Sequence, residues 1–75
     1  MSHFTTVKTK FTDQNTLVKS LKELGYNQVQ VGQFQCRGYQ GNQTTVDILI
    51  QLQSGYDIGF VNRNNSFEMI ADWYG

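Results

Sequence analysis

Thr44–Val61, TTVDILIQLQSGYDIGFV, is two alternating apolar runs joined at Ser54-Gly55, and its reading decides the fold. In the first run Val46, Ile48, Ile50 and Leu52 fall on every second position, while Asp47, Gln51 and Gln53 point the other way, the period of two that a pleated strand requires. Gly55 supplies a turn position where φ can be positive without a Cβ clash, and Tyr56, Ile58 and Phe60 resume the alternation. The stretch therefore predicts a β-hairpin with one dry face. Counting outward from the turn sets Asp47 opposite Asn62. A slip of one residue would drive Asp47 and Asp57 into the core, so the register is firmly specified.

Beyond the hairpin, Arg63-Asn64-Asn65 can supply positive φ in a second tight turn. Ser66 to Tyr74 returns as a last strand, with Phe67, Met69, Ala71 and Trp73 on one side and Ser66, Glu68, Ile70 and Asp72 on the other. Before the hairpin, Gln28 to Val31 reads as a short strand with Val29 and Val31 inward, broken by Gly32. Phe34 to Tyr39 forms another extended run, and Gly38, Gly41 and Asn42 mark a bend; the two short strands can merge.

Thr12 and Asp13 are N-cap residues, and Leu17, Val18, Leu21 and Leu24 form one helical stripe that ends at Gly25. Residues 14–24 are the predicted helix, with Lys19, Lys22 and Glu23 on its outer face serving solubility. His3 to Phe11 reads as a first strand, Thr5, Val7, Thr9 and Phe11 on one side and Phe4, Thr6, Lys8 and Lys10 on the other, with the lysines suited to an edge. The expected architecture is α+β in the order β-α-β-β-β-β: an antiparallel sheet of about five strands with one helix packed on one face, in a single small domain spanning residues 1–75.

A chain of 75 residues buries only about 60% of its unfolded surface, so the core is thin. One helix shields one side of the sheet, and the other side is expected to be left bare, in want of a cover. Six basic residues balance six acidic ones, which removes the long-range field that draws proteins to nucleic acid or an acidic membrane. The charges are divided along the chain. Lys8, Lys10, Lys19, Lys22 and Arg37 outnumber Asp13 and Glu23 up to Thr45, whereas Arg63 faces Asp47, Asp57, Glu68 and Asp72 after it. A polarised molecule can dock head to tail or on a partner of opposite charge. Cys36 is alone, which points to a reducing compartment, and no run of residues is apolar enough to span a bilayer or form a signal core.

The chemistry-bearing residues do not form a catalytic pattern. His3 and Cys36 lack the spacing of a metal site or a nucleophile with its base. Asp47 and Asp57 are too far apart on the hairpin arms to act as a coupled acid/base pair. Arg37-Gly38-Tyr39-Gln40-Gly41-Asn42 is rich in glycine, yet no helix follows it to hold a phosphate, so it reads as a turn. Tyr39, Tyr56, Arg37 and Arg63 could stack bases on a sheet face, but the chain has neither the basic surplus nor the aromatic motif of an RNA-binding sheet. No catalytic, cofactor or metal residues are assigned.

Several stretches taken together, MSHFTTVKT, LKELGY, CRGYQGNQTTVDILI, GYDIGF and FEMIAD, give the chain a resemblance to the small proteins of cyanobacteria and algal plastids known as hypothetical chloroplast reading frame thirty-five, a family of unknown function. The resemblance covers most of the chain, with MSHF and YDIGF its most specific pieces. It implies an association with photosynthetic organisms, a supporting and non-enzymatic role, and a location in the cytoplasm or the plastid stroma. Family members continue past the FEMIAD-like strand into a further helical segment. On that comparison this chain is a short version, of the kind a phage carries or an expressed piece, with Phe67, Met69, Trp73 and Tyr74 rimming the gap and available to a partner.

The expectation is a small interaction module that binds another protein, or itself, without a cofactor. A small-molecule or metal-dependent enzyme is the alternative, and an RNA-binding sheet a weaker one.

Overall fold

Each alternating run of the sequence becomes a strand in the computed structural model, which describes residues 4–38, 41–52 and 57–72. The elements are β1 (Thr5–Lys8), α1 (Gln14–Glu23), β2 (Val29–Arg37), β3 (Gln43–Gln51), β4 (Asp57–Arg63) and β5 (Ser66–Ala71). They form one antiparallel sheet in the spatial order β1-β5-β4-β3-β2. The fold is α+β, with one helix and five strands among the described residues, in the expected order. The two short strands foreseen before the hairpin are one strand, β2.

α1 begins where its cap dictates. The Asp13 carboxylate accepts hydrogen bonds from the Thr16 backbone N–H at 2.8 Å and the Thr16 hydroxyl at 2.9 Å, satisfying a donor that the first helical turn leaves open. Because those bonds favour the ionised form, the backbone one most, the carboxyl is held below its ordinary pKa. At the other end Gly25 takes φ +105. Its N–H donates to the Lys22 carbonyl and that of Tyr26 to the Leu21 carbonyl, the two bonds of a Schellman closure.

α1 presses Leu17 and Leu21 against Ile48, Ile50, Phe60 and Phe67, with Phe11, Val18, Val29, Ile58 and Met69 half-buried around them. Burying a leucine is worth roughly 1.5–3 kcal/mol, so this cluster carries much of the stability. The β4–β5 hairpin is pinned by a two-residue turn in which Asn64 (φ 53) and Asn65 (φ 67) are both left-handed, the geometry that matches the twist of the flanking strands. β1 is an edge strand, as its lysines suit, but it runs only Thr5–Lys8 where a strand from His3 to Phe11 was expected. Its ladder runs from Thr5 opposite Ala71 to Lys8 opposite Glu68. Thr9 extends the contact, donating from both its backbone N–H and its hydroxyl to the Phe67 carbonyl.

The side of the sheet away from α1 departs from the sequence expectation. It is not bare. Cys36, Val46, Leu49 and Ile70 are buried there as a second cluster, with Phe4, Phe34 and Val61 packed against it. Val46 and Ile48, two residues apart and predicted to share a face, lie in different clusters. The cause is a bulge. β2 places Gly32 and Gln33 opposite the single residue Asp47, shifting the register between Val31 and Phe34, and Gly32 has φ +133. Bulges bend and overtwist a ladder, and here the far halves of β2 and β3 swing over the sheet.

Three observations locate that fold-over. β3 lies between β2 and β4, so a flat sheet would hold the outer two about 9–10 Å apart. Instead the Arg37 backbone N–H reaches the Asp57 carboxylate at 2.8 Å, and the Cys36 thiol reaches the Asp57 carbonyl at 3.5 Å. Val46 sits directly over Gly59: a Cβ at Gly59 would collide with the Val46 side chain, approaching its Cβ to 2.9 Å. The β3–β4 ladder ends at Ile48 opposite Phe60, and beyond it the Asn62 N–H donates to the Asp47 carboxylate at 2.9 Å. The ladder is one residue off the count from the turn, which set Asp47 opposite Asn62 and so Ile48 opposite Val61 rather than Phe60; Asp47 meets Asn62 only through its carboxylate. The turn itself, Ser54-Gly55, lies outside the described residues.

Candidate functional site

Two places in the fold gather polar or reactive side chains, and they do different things. The first is the seam under the folded hairpin. Asp57 was predicted to face away from the apolar side; it does, but onto the second cluster, where it is 1% exposed. Arg37 clasps it with two side-chain bonds, Nε to Oδ2 at 3.0 Å and Nη2 to Oδ1 at 2.9 Å, beside the backbone bond. A bidentate pair of this kind fixes geometry as well as charge, and it raises the Arg37 pKa further, chiefly through the hydrogen bond. Cys36 is fully buried beside the pair. Burial first, and then the Asp57 charge, push its thiol up to about 11 against an opposing effect of Arg37. A thiol held protonated and sealed from solvent is a poor nucleophile; these three residues close the hairpin over the sheet.

The second place lies between α1 and β2. α1 runs across the sheet so that Leu17 and Leu21 point down, and the next stripe of the helix, Asn15, Val18, Lys19 and Lys22, overhangs the outer edge of β2. Between them is a cleft of about 530 Å³ whose far wall is Val31. It continues past the bulge into a second hollow of about 320 Å³ beside Gln33, Asp47 and Asn62. Val31 was expected inward. Its side chain does lie on the helix face, opposite Ile48, yet it is 48% exposed, because the helix stripe above it stands off across the cleft instead of packing down on it. Leu24 and Tyr26, at the C-terminal end of α1, are also exposed.

The electrostatics of the trough follow from which charges are already spent. Asp13 caps α1, Asp47 holds the Asn62 N–H, Asp57 holds Arg37, and Glu68 pairs with Arg63 at 3.3 Å. Among the described residues none of Lys8, Lys10, Lys19 and Lys22 is in an ion pair. Of these, Lys19 and Lys22 stand on the trough with Glu23. A chain of zero net charge therefore offers two uncommitted ammonium groups beside an apolar wall.

The remaining sequence candidates are distributed as follows. Phe67 is 1% exposed and fills the core beneath α1, so it offers no surface to a partner; Met69 is half-buried against the same cluster. Trp73, Tyr74, His3, Tyr39 and Tyr56 lie outside the described residues. Arg37 and Arg63, weighed as base-stacking groups, are engaged by Asp57 and Glu68. In the glycine-rich segment the Gly38 N–H donates to the Asn42 carbonyl at 2.7 Å. Among the described residues no three His, Cys, Asp or Glu side chains gather as metal ligands would, and no helix is long and apolar enough to cross a membrane. Sequence reading missed the trough, since it gave Lys19 and Lys22 to solvent; the signal was there in Val31 followed by Gly32, an apolar residue at a break.

Residues 20–75 match a family described as protein of unknown function (DUF1257). The chain belongs to that family. Its curated relatives include proteins called uncharacterized protein ycf35: one from Cyanophora paradoxa, 38% identical over 72 residues, one from Guillardia theta, 35% identical over 72 residues, and one from Pyropia yezoensis, 36% identical over 78 residues. Each alignment covers 96% of this chain and 56% of the relative, so the DUF1257 chain described here spans little more than half the length of the curated relatives it matches. No solved structure matches it. The family expected from the sequence is the one found.

Proposed function

We propose that this chain is a non-enzymatic module that binds another protein, and that the trough between α1 and β2 is where it does so. The observation that supports this reading most is Val31, an apolar residue 48% exposed at the foot of a helix whose overhanging stripe carries uncommitted lysines. The groups on which catalysis could be built serve the fold instead: Cys36 is sealed, and Asp57 is clasped by Arg37. A host of the kind named for the relatives, with the chain at work in its cytoplasm or plastid stroma, fits a supporting role of this sort.

The test is a selection of displayed peptides against the immobilised protein, followed by amide-resolved titration of the isotope-labelled chain with the selected sequences. The reading expects a recurrent sequence whose binding shifts the amides of α1 and of Val29–Gln33. Enrichment of none, together with turnover of a small molecule abolished by Asp57→Asn, would replace it with an enzyme. Saturable binding of single-stranded RNA at moderate salt would replace it with a nucleic-acid function. Self-association that shifts the same amides would make the partner a second copy.

A further inference from the structure

The outer side of the trough is a sheet edge. β2 pairs with β3 alone, so along Val29–Val31 alternate backbone N–H and C=O groups point away from the sheet toward the overhang of α1. A free edge flanked by a helix can accept an extended segment as an added strand, with main-chain bonds giving affinity and the groove selecting alternate side chains. The other edge is less suited. β1 is four residues long, carries Lys8, and has no helix beside it. β2 is itself protected on one side of its bulge: past Gly32 the strand swings over the sheet and its Arg37 is tied to Asp57. What stays open is the portion before the bulge, and that is the portion α1 overhangs.

We propose that the trough takes an extended peptide segment of a partner protein as a sixth strand on β2. Every second side chain of that segment would face α1, apolar ones lying against Val18 and Val31 and an acidic one among them meeting Lys19 and Lys22. Complementary charge argues for the acidic partner. Lys19 and Lys22 are uncommitted, and among the described carboxylates Glu23 alone stands beside them on the cleft. The length suits a short motif: α1 is ten residues, about 15 Å, which spans roughly four to five residues of a strand. The proposal rests on the binding role given above and specifies its ligand.

The experiment titrates the full chain with three labelled synthetic heptapeptides: Val-Thr-Glu-Thr-Val-Thr-Glu, in which valine and glutamate share one face, the same peptide with lysine for glutamate, and the first with alternate backbone nitrogens methylated. Fluorescence anisotropy gives the affinity and amide shifts give the location. The glutamate peptide is expected to bind, with shifts at Val29–Val31 and along α1. Methylation is expected to weaken it about tenfold or more, as loss of backbone donors requires. The lysine peptide should bind about fivefold more weakly in low salt, and K19E/K22E, at exposed helix positions that leave the circular dichroism spectrum unchanged, should reverse that order. Binding that is indifferent to methylation, or shifts centred elsewhere, overturns the added-strand inference. No saturation by about 1 mM overturns it too. Display-selected peptides that bind another face would still uphold the general binding role, whereas failure of both the heptapeptides and the selection removes both.

Discussion

The two faces of the sheet are closed by different means. On one face a separate element, α1, brings Leu17 and Leu21 onto Ile48, Ile50, Phe60 and Phe67, and the fit is a matter of apolar area. On the other the sheet covers itself, and its cluster depends on single residues: a bulge at Gly32 that bends β2, Gly59 that leaves room for Val46, and Asp57 that anchors Arg37. Apolar burial tolerates some exchange of shape, while a fold-over held at three points does not. A protein this small can therefore make a second core without a second helix.

The sharpest challenge to this contrast is truncation within the helix-covered cluster. Phe67→Ala is expected to cost about 3–5 kcal/mol, enough to leave the chain largely unfolded in urea titrations; a loss below about 1 kcal/mol would mean that α1 does not hold that face. Next comes G59A. Its new methyl meets Val46, and a loss of about 2 kcal/mol is expected. Val46→Ala in the same chain should restore part of it, and a double-mutant cycle with no coupling would break the claim that Val46 sits over Gly59.

The anchor has its own reporter. Thiol reagents should label Cys36 far more slowly in the native chain than in denaturant, and Asp57→Ala should speed labelling about tenfold or more by loosening the hairpin. Equal rates in the two proteins would show that the pair holds nothing. Because the Cys36 pKa rises from 9.0 to about 11 on folding, the unfolded chain loses this proton first. Stability contributed by the thiol is present below pH 9 and declines as pH rises toward about 11, a decline that Cys36→Ala should flatten. The smallest effect is expected outside both clusters. Asn65→Gly, at φ 67, should gain about 0.5 kcal/mol or less, read as a slight upward shift in urea midpoint.

The helix-covered face was legible in the sequence because its physics is local. The Asp13 cap, the Leu17–Leu21 stripe, Gly25 and the Asn64-Asn65 turn each announce themselves within a few residues, whereas the register of β3 with β4 was read one residue off. The folded-over face was not legible, because it depends on pairs far apart in the chain: Arg37 with Asp57, Val46 with Gly59. Strict alternation put Val46 beside Ile48, and nothing near them in sequence reveals that a bulge on another strand separates the two. The trough was half visible for the same reason. Val31 was read as inward and is 48% exposed, because how closely α1 settles over the sheet is a tertiary quantity.

The pairing of β1 with β5 has a consequence for synthesis. Of the five described strands, the first in chain order is stitched to the last, Thr5 to Ala71, so this sheet stays unfinished during synthesis until Ser66–Ala71 has emerged. A rearranged chain that links β5 directly to β1 by a short turn and opens at Asn64-Asn65 would reverse that schedule, letting β5 and β1 form a local hairpin and leaving β4 to wait.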